Sequence, residues 1–377
     1  MALQIFDDIQ QFKEEMKMKF DFCIGNPPYQ NSVDTYNRQE PIYPFFYDSA
    51  ESVADKYILI SPARFLFNAG LTPKEWNQKM LDDSHLKVAS YMPDASVVFP
   101  NTEIKGGVVV VYRDKSKDFG AIGEFIPDES LRGIASHFRR DIRKNLPAIM
   151  YGGRSDLKFN NAFLTDYPES PSIRLKEIQR KHPEASELAP NEEYELKSST
   201  LSTLSYVFKE SPTTKNSDYY KILGIVGGKR VYRYIEKKYM EPRYPEHNNI
   251  NNYKVMFPEA NGNGVFGEVL SAPVIAGPSE TATPSFISIG CFGSRKEVEN
   301  VLKYTKTKLV RALLGILKTT QHTAPPNWAY VPQQDFGTTS DIDWSVSIKE
   351  IDQQLYRKYC LSNEEIMFIE THVKEMA

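Results

Sequence analysis

The chain has little that would cross-link it or hold a metal. Its three cysteines, Cys23, Cys291 and Cys360, are an odd and scattered set in 377 residues, which supports neither a disulfide framework nor a zinc knuckle. Its six histidines show no ligand spacing, and no metal site is expected. No apolar run is long enough to cross a bilayer, and the start lacks the basic and apolar regions of a secretory signal. A cytoplasmic location without a membrane partner is therefore expected. No internal repeat is present. The apolar fraction of 41% and the charged fraction of 25% are ordinary for a globular chain, and 377 residues can hold two or three domains.

What is present is concentrated in one short segment. Phe20-Asp21-Phe22-Cys23-Ile24-Gly25 reads as an apolar strand and runs into Asn26-Pro27-Pro28-Tyr29. The Asn26 side-chain carbonyl and the following proline's backbone carbonyl can both accept hydrogens from a planar NH2 group, drawing its lone pair out of conjugation. Pro27 pushes Asn26 towards an extended conformation and Pro28 fixes the next φ, so the acceptors sit on a stiff loop. Tyr29 adds a flat ring. A heteroaromatic base with an exocyclic amine, flipped out of a duplex, satisfies acceptors and ring together. Cys23, inside the strand, is expected to be core packing.

These residues resemble the amino-group S-adenosylmethionine methyltransferases, in particular the adenine-specific DNA methylases of restriction-modification systems. Tyr57-Ile58-Leu59-Ile60 leading into Ser61-Pro62-Ala63-Arg64-Phe65-Leu66 is similar to the strand and helix that follow the catalytic motif in that family. Ala95-Ser96-Val97-Val98-Phe99-Pro100 is similar to the place where these enzymes present a second ring to the flipped base, which makes Phe99 the expected counterpart of Tyr29. The resemblance implies Asn26, Pro27, Pro28 and Tyr29 as catalytic residues, with direct attack of the nitrogen on the sulfonium methyl. The tetrapeptide alone does not separate adenine from cytosine.

The family's glycine-rich cofactor loop should precede the Asn-Pro-Pro-Tyr strand on a doubly wound sheet. Only Met1 to Lys19 precede it here, a glycine-free stretch that reads as one amphipathic helix. S-adenosylmethionine is thus the implied cofactor, but the chain alone is not expected to bind it, and a partner polypeptide is expected to supply the cofactor-binding half. Two glycine segments further on are poor substitutes. Gly262-Asn263-Gly264-Val265-Phe266-Gly267 is followed by proline-broken strand-like residues where a helix should open, and reads as a hairpin turn. Gly224-Ile225-Val226-Gly227-Gly228-Lys229-Arg230 has the wrong spacing for a phosphate loop.

The formal charge of −3 hides an uneven distribution. Lys229, Arg230, Arg233, Lys237 and Lys238 stand among tyrosines, and Lys306, Lys308, Arg311 and Lys318 lie in a stretch, Val301 to His322, with no acidic residue. The second group falls on an expected helix from Glu297 to Lys318. Basic side chains interleaved with aromatics suit phosphates and bases of double-stranded DNA, and all nine are candidate DNA contacts. Thr319-Thr320-Gln321-His322 offers polar groups of the kind that read base edges.

The expected fold is α/β: an incomplete Rossmann-like methyltransferase lobe over 1–147, a connector over 148–203, a mixed α/β target-recognition domain over 204–331 and C-terminal helices over 332–377. Ser362 and Glu365 form a capping box for the last helix. The expected function is part of a site-specific adenine-N6 DNA methyltransferase. A non-catalytic DNA-binding specificity subunit or a decayed methylase remnant would share the basic domain, and a protein-glutamine or RNA methyltransferase could share the tetrapeptide.

Overall fold

The computed structural model describes residues 20–30, 40–68, 71–100, 104, 106–262, 264–318 and 321–376. The chain divides into two compact units, Met1–Glu129 and Ser130–Ala377. The expected N-terminal helix lies outside the described residues.

Among the described residues the first unit holds a four-stranded sheet of order β1-β2-β4-β3, formed by β1 (Cys23–Gly25), β2 (Lys56–Pro62), β3 (Leu86–Met92) and β4 (Val108–Asp114). β1 and β2 pair in parallel, and β4 runs antiparallel to both β2 and β3. Three strands therefore share one direction, with β4 reversed between two of them. The crossovers carry α1 (Tyr43–Val53) and α2 (Lys74–Asp82). Strand alternation explains the core: Tyr57, Leu59 and Ser61 of β2 and Val109 and Val111 of β4 are buried among Tyr47, Trp76 and Met80 of the helices. The Trp76 ring meets Tyr43, Tyr47 and Phe65 edge-on at 5.8, 5.5 and 5.4 Å between centroids. Arg113 of β4 reaches Asp83 at 2.6 Å and Glu51 at 3.0 Å, tying the ends of both helices to the sheet. Such a buried guanidinium fork holds two carboxylates in one geometry.

α3 (Glu129–Ser136) opens at the last residue of the first unit, and the second unit contains three small sheets among the described residues. β5 (Met150–Tyr151) belongs to the order β11-β10-β13-β5, β6 (Leu157–Phe159) pairs with β9 (Met240–Pro242), and β12-β7-β8 form the third. Between β6 and β7 lie α4 (Asn161–Asp166), α5 (Ser170–Gln179) and α6 (Thr200–Thr203). β7 (Tyr219–Val226) and β8 (Lys229–Glu236) make a hairpin, followed by β10 (Tyr253–Pro258), β11 (Val274–Ala276), β12 (Glu280–Ala282) and β13 (Phe286–Phe292). α7 (Arg295–Lys306), α8 (Lys308–Leu317), α9 (Ile348–Lys358) and α10 (Asn363–His372) complete the unit.

The fold differs from expectation in two places. The expected connector is not a solvated link: Leu157, Phe159, Phe163, Leu196 and Leu201 are buried in one core with Ile222 and Ile235 of the hairpin. Pro168, Pro183, Pro190, Glu169, Glu184 and Glu187 are exposed, while the segment's apolar residues are spaced by irregular turns, which hides them from a periodicity reading. The expected single helix from Glu297 to Lys318 is two helices. Thr307 takes an extended backbone, its hydroxyl accepts from the Val310 N–H, and the Asp352 carboxylate accepts from the Lys308 and Leu309 N–H groups at 2.9 and 3.0 Å. The Ser362–Glu365 capping box is present in the last helix.

Candidate active site

Because β1, β2 and β3 run the same way, the segments leaving their carboxyl ends gather at one edge of the sheet. Those segments are Asn26–Tyr29 after β1, Ala63–Phe67 after β2 and Asp94–Phe99 after β3. The carboxyl edge of parallel strands is where α/β folds take their ligands. Gly107, leading into β4, stitches that edge. Its φ is +75°, and a Cβ there would lie 2.3 Å from the Met92 carbonyl oxygen, so only glycine lets β4 start so close to the end of β3. The Gly107 carbonyl in turn accepts from the Ala63 N–H at 3.0 Å.

Within the tetrapeptide the four residues are treated differently. Pro27 is buried, Tyr29 half-buried, and Asn26 and Pro28 exposed. Among the described residues no hydrogen bond occupies the Asn26 side chain or the Pro27 carbonyl. The Tyr29 carbonyl accepts from the Ile42 N–H at 3.2 Å, which anchors the motif to the start of α1. The Tyr29 hydroxyl is buried without a hydrogen-bond partner, and burial raises its pKa. Beneath it, Tyr47 is fully buried with its hydroxyl 2.7 Å from Ser61 Oγ, and burial, with Tyr43 and Tyr29 adding to it, holds that phenol well above its ordinary range. No spacing in the sequence marks Tyr47 and Ser61 as site neighbours; the one signal is the Ser-Pro that ends β2.

The structure brings Tyr29 and Phe99 together, with ring centroids 6.1 Å apart and planes at 76°. They meet edge to face, so they do not stand as parallel walls with a slot between them. Cys23 packs against the core and burial pushes its thiol pKa up, as suits a packing residue.

The nine basic candidates, all in the second unit, separate into groups. Arg311 is 2% and Lys318 4% exposed; Arg311 donates to the carbonyls of Lys306, Glu268 and Lys374, and Lys318 pairs with Glu268. Lys308 pairs with Glu370 at 2.6 Å. These three are internal braces, and a phosphate role for Arg311 and Lys318 is corrected by their burial: acid-free sequence does not exclude partners distant in the chain. Arg233 pairs with Glu210 at 3.2 Å, and Lys238 with Glu236 at 3.3 Å. Lys237 lies over the Tyr220 ring at 5.3 Å, and half-buried Lys306 has no partner among the described residues. Lys229 and Arg230 are exposed at the hairpin tip. Thr319 and Thr320 lie outside the described residues, while His322 Nδ1 is 2.9 Å from Glu259.

The glycine loop at 262–267 joins β10 to its antiparallel neighbour β11 and opens no helix. Asn263 lies outside the described residues. A Cβ at Gly262 would collide with the Glu268 carboxylate, which also accepts from the Gly264 N–H at 3.2 Å. The chain's own carboxylate fills the place an anionic ligand would take. The segment at 224–230 is the tip of the β7–β8 hairpin, whose turn is Gly227-Gly228.

Residues 2–99 match the family described as the Eco57I restriction-modification methylase. A protein of Mycoplasma pneumoniae named an uncharacterized adenine-specific methylase is 34% identical over 95 residues, covering 24% of this chain and 22% of that relative. The match thus spans about a fifth of the relative's length. Among solved structures, the type IIG restriction endonuclease BpuSI aligns over 93% of this chain and 53% of its own, with 10% identity and a TM-score of 0.33, a likeness that fixes neither fold nor function.

Proposed function

We propose that the chain is part of an adenine-N6 DNA methyltransferase of a restriction-modification system, acting on a base flipped out of duplex DNA. One observation carries this reading: a stiff Asn-Pro-Pro-Tyr loop at the carboxyl edge of the sheet offers two unoccupied acceptors, Asn26 Oδ1 and the Pro27 carbonyl, beside the Tyr29 and Phe99 rings. The two acceptors would each take one hydrogen of the exocyclic amine, turning its lone pair towards the methyl donor and stabilising the positive charge that builds on nitrogen during transfer. The base plane would lie against Tyr29, with Phe99 turning from its edge-on position to cover the other face. A base without the amine would leave both acceptors unpaired and be rejected. Adenine over cytosine rests on the match over residues 2–99 and on the relative's name.

S-adenosylmethionine is the donor this family implies. The described residues do not fit it: no glycine loop among them opens a helix, and the loop at 262–267 is filled by Glu268. A partner polypeptide is the proposed source of its pocket. The edge of the sheet supports this. β1 is a three-residue edge strand among the described residues, with Phe20, Phe22 and Ile24 exposed by 49%, 39% and 78%, a surface on which further strands would bury apolar area.

Calorimetric titration with S-adenosylmethionine, of the chain alone and then with the polypeptide encoded beside its gene, tests the arrangement. Binding only with the neighbour, followed by methyl transfer to adenine in duplex DNA, is the expected result. Binding by the chain alone would remove the partner from the reading. No binding in either case, with DNA affinity intact, would favour a non-catalytic DNA-binding subunit, and transfer to RNA or protein glutamine alone would overturn the DNA assignment.

A further inference from the structure

The geometry points to the tip of the β7–β8 hairpin as the element of this chain that enters a groove of duplex DNA, with Lys229 on a phosphate and Arg230 aimed at base edges. The inference rests on the DNA-methylase reading above.

Shape comes first. The two strands pair without interruption from Tyr219 opposite Glu236 to Val226 opposite Lys229. Gly227 and Gly228 close them with φ of +57° and +75°, the two positive values that a tight type I′ turn requires. β12 lies beside β7 only at Lys221–Leu223, so from Ile225 to Arg230 the hairpin is a two-stranded ribbon, one face of which still packs on the core through Val226. Ile225 and the run Gly227–Arg230 are exposed, and a Cβ at either turn glycine would meet nothing within 4 Å. A two-stranded ribbon is one of the shapes that the major groove of DNA, about 12 Å wide, admits.

Charge comes second. The hairpin has no acidic residue between Tyr219 and Ile235. The carboxylates around its base are occupied: Glu280 by Lys221, Glu210 by Arg233, and Glu236 by Lys209 and Lys238. Lys229 has no partner among the described residues. Arg230 lies 5.8 Å from the Phe286 ring centroid and donates one Nη1 hydrogen to the Ala272 carbonyl at 2.6 Å. That contact holds the guanidinium in place while leaving Nε and Nη2 unbonded among the described residues, a pre-oriented fork of the kind that pairs with guanine. Of the nine basic candidates, only the two at the tip combine exposure with freedom from any carboxylate among the described residues.

The test is fluorescence anisotropy of the full chain with a labelled duplex of mixed sequence, across a range of salt. Lys229→Ala combined with Arg230→Ala is compared with Arg180→Ala combined with Lys181→Ala, an exposed basic pair that removes the same charge elsewhere in the unit. The tip variant should flatten the salt slope by about 1.8, so that its affinity deficit shrinks roughly tenfold between about 50 and about 200 mM salt, while the control keeps the wild-type slope. Lys229→Glu, at a position without a fold contact, should weaken binding further in the same direction. An unchanged slope in the tip variants, or equal loss in the control, overturns the hairpin assignment and leaves the methylase reading standing. A wild-type chain that fails to bind any duplex at low salt overturns both.

Discussion

Around Asn26 the fold leaves acceptors open at the end of a strand, whereas around Arg311 it closes nearly every charge it buries. In the first unit, Asn26 Oδ1 and the Pro27 carbonyl have no hydrogen bond among the described residues, and the Tyr29 hydroxyl beside them is buried without a partner. In the second, Arg311, Lys308 and Lys318 are bound to carbonyls or carboxylates contributed by segments as distant as Glu268 and Lys374. A buried polar group without a partner is costly, which singles out the Tyr29 hydroxyl, whereas the exposed Asn26 side chain is met by solvent. The proposed ligand site thus has its open acceptors at the surface, and the basic residues around Arg311 have their partners within the fold.

The comparison is broken most sharply at Lys318. Replacing it by Met takes the buried cation away from the Glu268 carboxylate, which still accepts from the Gly264 N–H, and should lower the stability of the second unit by on the order of 3 kcal/mol. Urea unfolding would measure the loss; a variant as stable as wild type, with weakened DNA binding, would return Lys318 to the DNA surface. Asn26→Ala should do the reverse. Its side chain is exposed and makes no fold contact, so stability and DNA affinity should hold while methyl transfer by the reconstituted complex falls by roughly 10²–10³. Single-turnover transfer of labelled methyl decides it, and wild-type turnover would sink the active-site assignment.

Much of the first unit was legible because its signals are local. Asn26 to Tyr29 fixes its own backbone, and the apolar strands alternate as strands should. The Tyr29–Phe99 meeting was legible as a pairing of residues but not as an angle, since ring orientation depends on packing that no spacing encodes. The second unit was less legible for a matching reason. Glu268 beside Lys318, Asp352 across the break between α7 and α8, and Glu210 beside Arg233 are all partners from elsewhere in the chain. A run without acids looked like a surface for phosphates when the acids were only remote in sequence. Thr307 was a missed local signal: a threonine followed by a new apolar stripe is an N-cap pattern even inside a longer helical stretch.

Asp352 gives a smaller, pH-dependent handle on the closed region. Burial is the chief cause raising its pKa to about 6, opposed by the Leu309 and Lys308 N–H groups and by Arg311, with Glu370 adding to the rise. A carboxyl whose folded pKa is raised binds its proton more tightly in the folded state. Its stabilising contribution is complete below the unfolded value near 4 and is lost as pH climbs through 6, by on the order of 2 kcal/mol. Asp352→Asn keeps an acceptor for the α8 N-terminus without the buried charge, so unfolding measured from pH 4 to 7 should show a flatter profile than wild type. A profile that stays as steep would mean that another group titrates there.

The smallest effect sharpens the line between exposed and available. Lys238 is as visible at the surface as Lys229, yet Glu236 at 3.3 Å and Asp166 at 4.0 Å already face its ammonium group. A lysine that already has carboxylate neighbours releases fewer counterions when a phosphate approaches, because part of its charge is satisfied in the free protein. Lys238→Ala should therefore shift the salt slope of DNA binding by well under the roughly 0.9 expected for one full phosphate contact, and by less than Lys229→Ala does. Equal slopes for the two variants would mean that surface ion pairs in this unit open freely on DNA. In that case the pairing of Arg233 and Lys238 would be no guide to which cations meet phosphate, and burial alone, as at Arg311 and Lys318, would separate framework from interface.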